Sequence, residues 1–269
     1  MGGEIHGMGL CAGGGALEVG LELVLGDSYR CVCYVEQEAY AAATLVKRMA
    51  EGSLAPAPIW DDLDTFDGAA WRGRVDVISS GFPCQPFSAA GQRRGSADER
   101  NLWPRLHDII RAIRPSVVFL ENSPRIWRYY TQAIGPDFQR MGYETEEGIF
   151  SAEEVGAPHL RERFFVLAYT SEGHLWLERG WSRGSRGQGE AFARGDGANG
   201  AVADSYSKQV EWPTESWTER NPWSTESNFC RVANGVARRV ERLQLLGNGV
   251  VPLQAAHAFA TLATAASKP

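Results

Sequence analysis

Over the first 170 residues, short apolar runs alternate with amphipathic stretches, and this restricts the chain to a sheet covered by helices on both faces. Ile5 to Leu10, Cys31 to Val35, Val75 to Ser79, Val117 to Leu120 and Phe164 to Tyr169 read as buried strands. Leu17, Leu21 and Val24 recur at helical spacing before a stop at Gly26. A second helix through Leu106, Ile109, Ile110 and Ile113 ends before Pro115. From about Ser171 to Cys230 the periodicity fades into Gly, Arg, Ser and Trp, and 182–200 reads as a loop or linker. Regular patterning returns at Val236 to Leu246, followed by a Gly-Asn-Gly turn and an Ala-rich helix from about Pro252 to Ala266. The expected division is therefore a sheet-and-helix domain at 1–170, an irregular insertion with a specialised task at 171–230 and a segment at 231–269 that returns to the first domain.

Bulk properties exclude several classes. No apolar run approaches the roughly 20 residues of a spanning helix, and the amino terminus lacks a basic segment before an apolar core. The expectation is a cytoplasmic protein with no membrane partner. The five cysteines, Cys11, Cys31, Cys33, Cys84 and Cys230, form no metal-type pair and are odd in number, so neither a disulfide framework nor a metal site is expected. Cys31 and Cys33, two apart in a strand, are expected to share one face as core residues. The net charge of −6 counts against gripping nucleic acid by bulk electrostatics. Local basic clusters at Arg93 and Arg94, at Arg179, Arg183 and Arg186, and at Arg238, Arg239 and Arg242 leave room for a basic cleft on an acidic body.

The strand ends carry the chemistry. Strand one runs into Cys11-Ala12-Gly13-Gly14-Gly15 and then a helix, an arrangement that lets a ligand approach the backbone; a plain turn is the alternative. Strand two ends at Glu36, placed to accept ribose hydroxyls, with a solvated loop glutamate as the alternative. Gly81-Phe82-Pro83-Cys84-Gln85-Pro86-Phe87-Ser88 puts a cysteine at the carboxyl end of the sheet. A thiolate there could attack, although a structural cysteine between prolines is also conceivable. Val117 to Leu120 delivers Glu121-Asn122 on that same edge, where a carboxylate needs a purpose or a partner. Arg161 and Arg163 could reach one side to hold a base or phosphate, or form a surface cluster with Glu162.

LCAGGGALEVGL, VE at 35–36, GFPCQPFSAAG, FLEN at 119–122, HLRERFFVLA and LGNGVVP at 246–252 resemble, in order, the motif series of the C5-cytosine DNA methyltransferase family. The resemblance implies an α/β, Rossmann-like class I methyltransferase sheet with a small irregular target-recognition region. It implies S-adenosyl-L-methionine as cofactor, held by Cys11, Gly13, Gly15, Glu36, Asp62, Leu63, Leu102, Asn248 and Val250, with Asp62 on the adenine. Cys84 would add to C6 of a flipped cytosine while Glu121 engages N3, with Arg163 on the base and Arg161 beside it. Ser88, Arg93, Arg94 and Arg100 would belong to a mobile DNA-closing loop. Double-stranded DNA is the implied partner, a monomer the implied state, and a cognate restriction endonuclease the implied genetic partner.

The sequence departs from the pattern at Cys11 (usually phenylalanine), Ala16 (glycine), Ser123 (valine) and His159 (glutamine), and Asn234-Gly235 stands where Asp-Gly is frequent. None of these removes a catalytic group. An RNA-directed enzyme of the same fold and a catalytically silent nucleic-acid-binding protein are the rivals. Retention of both Cys84 and Glu121 argues against the silent protein. An amino-group methyltransferase would need an Asp/Asn-Pro-Pro-aromatic stretch, which is missing.

Overall fold

The computed structural model describes residues 4–83, 101–183 and 249–267. Seven strands form one sheet in the order β3-β2-β1-β4-β5-β7-β6. They are β1 (Ile5–Leu10), β2 (Tyr29–Val35), β3 (Ile59–Trp60), β4 (Val77–Ser80), β5 (Val117–Asn122), β6 (Glu144–Phe150) and β7 (Arg163–Tyr169). The pairings from β3 through β5 are parallel, whereas β7 runs antiparallel to both β5 and β6. Parallel strands covered on both faces become continuous apolar runs, and all six residues of β5 are buried.

Helices α1 (Ala16–Leu25), α2 (Ala39–Ala50), α3 (Trp103–Ile113), α4 (Gly135–Arg140), α5 (Ser171–Arg183) and α6 (Pro252–Ala266) flank the sheet. One face packs Leu106, Ile109, Ile110 and Ile113 of α3 against Val118, Leu120, Val166 and Met8. The other packs Leu17, Leu21 and Val24 of α1 with Phe259 and the alanines of α6 against Val77, Phe119 and Leu167. Small residues let α6 lie close on α1: a Cβ added at Gly20 would come within 2.7 Å of the Ala255 Cβ. No helix among the described residues is long and apolar enough to cross a membrane.

The layered architecture follows the expectation, with corrections in detail. Cys31 and Cys33 are both buried but lie in cores on opposite faces. The register between β1 and β2 slips at Gly7/Met8, where Gly7 pairs with Cys31 and Met8 with Cys33, so an extra residue breaks the two-residue alternation. The irregular character expected from Ser171 does not hold for 171–183, which is helical with Leu177 in the core. Gly173 packs so tightly on the Ser116 carbonyl that no side chain fits there.

Candidate active site

The sheet register brings the sequence motifs to one edge. Val35, Leu10, Ser80 and Leu120 are aligned across β2, β1, β4 and β5, so the next residues, Glu36, Cys11, Gly81 and Glu121, emerge side by side. Antiparallel β7 starts at that edge: Phe164 pairs with Asn122, which brings in Arg163 beside Glu121. A cleft of about 560 Å3 opens there, lined among others by Cys11, Gly13, Glu36, Asp62, Leu63, Leu102, Glu121, Arg163 and Val250. Carboxyl strand ends flanking a change of connection are where open α/β sheets bind ligands.

The glycine turn forms one half of the cleft. Cys11 (φ 53°), Gly13 (φ 56°) and Gly15 (φ 78°) all adopt left-handed backbone, and Gly15 caps α1. At Gly13 nothing lies within 4 Å of where a Cβ would stand, so the backbone faces open space. Glu36 is 8 % exposed and ties the loops together: one carboxylate oxygen accepts from the Gly13 N–H at 2.6 Å, the other from the Glu38 N–H at 2.7 Å. Burial pushes its carboxyl above the ordinary value, against the pull of those N–H groups. Burial and the nearby Glu36 charge push the Cys11 thiol up to about 12, so this cysteine is not a reactive thiolate. Asp62 orders its own loop by accepting the Asp64 N–H at 2.8 Å, and its loop lies beside the glycine turn.

The other half of the cleft is built around Glu121. Its carboxyl is 5 % exposed, and one oxygen accepts the Arg163 Nε–H at 2.8 Å. Burial pushes its pKa up to about 7, while Arg163 and Arg161 pull the other way. Both protonation states are therefore accessible near neutrality. Arg163 turns to Glu121 rather than to the Glu162 carboxylate, and donates from Nη1 to the Glu162 carbonyl at 2.9 Å. Arg161 acts on Glu121 through its charge, and its guanidinium donates to the Gly249 carbonyl.

Two positioning residues escaped sequence reasoning. The Asn122 amide donates to the Phe82 carbonyl at 2.8 Å, fixing the chain two residues before Cys84. Gln254, fully buried on α6, donates to the Phe150 carbonyl at 2.8 Å and the Arg161 carbonyl at 2.6 Å, clamping the arginine segment. A lone glutamine in an Ala-rich apolar helix was the available signal for the second. Cys84, Ser88, Arg93, Arg94, Arg100, Asn248 and the stretch 184–230 lie outside the described residues.

A family model described as C-5 cytosine-specific DNA methylase matches residues 5–228. The chain is 30% identical over 168 residues to the type II methyltransferase M.NgoMIV of Neisseria gonorrhoeae, an alignment covering 61% of this chain and 51% of that protein. It is 32% identical over 164 residues to M.NaeI of Lentzea aerocolonigenes, covering 59% and 38% respectively. The chain thus spans about half the length, or less, of these relatives. Among solved structures, the Entamoeba histolytica methyltransferase EhMeth superposes with a TM-score of 0.53 at 17% identity, covering 62% of this chain and 53% of that one. A Spodoptera frugiperda DNMT2 mutant superposes with a TM-score of 0.52 at 18% identity, covering 62% and 50%. At these identities the structural likeness speaks to the fold, and the family match rests on the sequence: the chain belongs to the C-5 cytosine-specific DNA methylase family.

Proposed function

We propose that the protein transfers a methyl group from S-adenosyl-L-methionine to C5 of a flipped cytosine in double-stranded DNA, with Cys84 as the covalent nucleophile. The observation that carries this reading is the buried Glu121–Arg163 pair. It shares a cleft with the glycine turn, Glu36 and Pro83, and the residue after Glu121 in the strand, Asn122, holds the Phe82 carbonyl. The cleft suits the cofactor: its volume falls within the roughly 300–1,000 Å3 usual for small-molecule sites. Glu36 keeps lone pairs for ribose hydroxyls, Asp62 for the adenine amine, and Leu63 and Leu102 supply apolar walls. When bound, the cofactor supplies an electrophilic methyl group.

The residues account for the remaining chemistry. Cytosine C5 is a poor nucleophile, and the ring must leave the base stack to be reached. Addition of the Cys84 thiolate to C6 breaks the C5–C6 double bond and makes C5 electron-rich. Glu121, protonated near neutrality, donates to N3 and favours that addition. Arg163 orients the carboxyl and caps the base pocket. After methylation, loss of the C5 proton to water lets the C6–S bond break, which releases Cys84 and restores the aromatic ring. On this reading 171–230 serves target recognition, and Ser88, Arg93, Arg94 and Arg100 serve closure over the DNA.

The test incubates unmethylated duplex with labelled S-adenosylmethionine and reads the modified base by sequencing, beside Cys84→Ser. Label on cytosine C5, lost in the variant and trapped as an adduct by a 5-fluorocytosine duplex, is the expected result. Label on adenine, or undiminished transfer by the variant, defeats the proposal.

A further inference from the structure

Directly after Glu121-Asn122 the chain makes a tight helical turn that the methyl-transfer chemistry leaves unused. Arg125 lines the same cleft as Glu121 and Arg163. Arg125 and Arg128 are both exposed and stand three apart, so they project from one side of the turn. Among the described residues, no carboxylate forms an ion pair with either one. Between them, Trp127 keeps 48% of its surface in solvent. Its ring is nevertheless held, stacked on Tyr130 at 5.9 Å and edge-on to Phe164 at 5.6 Å. Ile149, paired with Phe164 across the sheet and 52% exposed, extends this apolar face.

A packed, half-exposed indole on the same turn as two guanidinium groups that no described carboxylate pairs, one of them lining the cleft, has the chemistry of a nucleotide strand: phosphates for the arginines and an apolar sugar or base face for the ring. The charge pattern also bounds the footprint. Along β6, Glu144 and Glu146 lie toward the end of the sheet away from the cleft, Glu147 sits midway with its carboxylate accepting the Tyr130 hydroxyl at 2.9 Å, and Ile149 lies at the cleft end. On a body of net charge −6, such local cations have to supply the phosphate contacts. We propose that the Arg125–Arg128 turn docks the DNA strand carrying the target cytosine, with Arg125 and Arg128 on phosphates beside the target and Trp127 packed on a neighbouring nucleotide. This rests on the DNA methyltransferase reading and adds to it a backbone-holding surface.

The experiment measures binding of the full chain to a fluorescein-labelled mixed-sequence duplex by anisotropy at a series of salt concentrations, alongside methyl transfer and S-adenosylhomocysteine titration. The Arg125→Gln/Arg128→Gln variant is expected to bind more weakly and to lower the slope of log affinity against log salt by about 1.8, since each phosphate contact contributes about 0.9. Arg125→Lys/Arg128→Lys restores the slope. Trp127→Ala keeps the slope but loses roughly tenfold in affinity, the scale of one base–aromatic stack. The arginine variants keep the wild-type S-adenosylhomocysteine affinity and melting temperature, whereas Trp127→Ala melts lower because its contacts with Tyr130 and Phe164 are lost, and its affinity is read well below that melting point. A wild-type slope in the Gln variant, with wild-type methylation intact, overturns the docking surface and leaves the function standing. A wild-type chain that neither binds nor methylates duplex overturns both.

Discussion

Replacing Glu18 with glutamine should stabilise the protein, and by an amount that grows with pH. Glu18 lies in the first turns of α1 with 1% of its surface exposed. The Ser79 hydroxyl donates to Oε1 at 2.8 Å, and Oε2 has no hydrogen-bond partner among the described residues. Burial pushes the carboxyl up to about 7, with smaller contributions from Glu22 and Glu36. Between its unfolded value of about 4.3 and this folded value, the native chain holds a proton that the unfolded chain releases. Stability therefore falls as pH rises through that window, by about 1.4 kcal/mol per unit, and levels off above it. The whole loss is on the order of 4 kcal/mol. Glutamine is neutral in both states and escapes this loss, while its amide offers Ser79 the same acceptor. Any cost of burying the amide N–H2 is the same at every pH. Urea unfolding of both proteins should give Glu18→Gln an advantage that widens by about 2 to 3 kcal/mol between pH 5 and pH 8. Glu121, which shifts in the same direction, is common to both proteins and cancels. A pH-independent difference, or one that shrinks as pH rises, would refute the claim that Glu18 is buried as the neutral acid.

Two further outcomes bear on the site. Glu121→Gln should lower the methyl-transfer rate by roughly 10² to 10⁴, the range for losing a positioned proton donor. The wild-type rate should decline as pH rises through about 7, where Glu121 gives up its proton, and the variant should lack that inflection in a rate profile. Asn122→Ala leaves the Phe82 carbonyl unmet and removes the anchor before Cys84, costing about 1 to 3 kcal/mol of stability. Denaturant melts and steady-state kinetics should show reduced stability and turnover, with S-adenosylhomocysteine affinity preserved.

The strands legible in the sequence are those buried on both faces. β1 has the expected bounds, and β5 and β7 differ only by extending into the polar residues at the cleft edge. Those extensions matter, because they make Glu121, Asn122 and Arg163 strand residues whose directions are fixed by register rather than by loop conformation. β6 was illegible because an edge strand pairs on one side only: Glu-Thr-Glu-Glu-Gly-Ile-Phe reads as a charged loop. α2 buries only Ala41 and Leu45, too few for a long apolar stripe, and among the described side chains α5 places Leu177 in the core. In the site, residue types signalled the carboxylates and arginines. The pairing of Arg163 with Glu121, the divergence of Arg161 to Gly249, and the Asn122 and Gln254 anchors depend on contacts between residues 40 to 104 positions apart, which local pattern cannot report.

The packing of α6 on α1, β6 and β7 has a consequence for biosynthesis. The apolar layer formed by Leu21, Phe119 and Leu167 emerges from the ribosome well before Phe259 and its alanine neighbours are translated to cover it. With synthesis at about 5 to 20 residues per second, the nascent chain carries that uncovered layer for seconds to tens of seconds. The covering of that face is thereby deferred until translation has passed residue 266, which leaves an apolar surface open to chaperones for that interval.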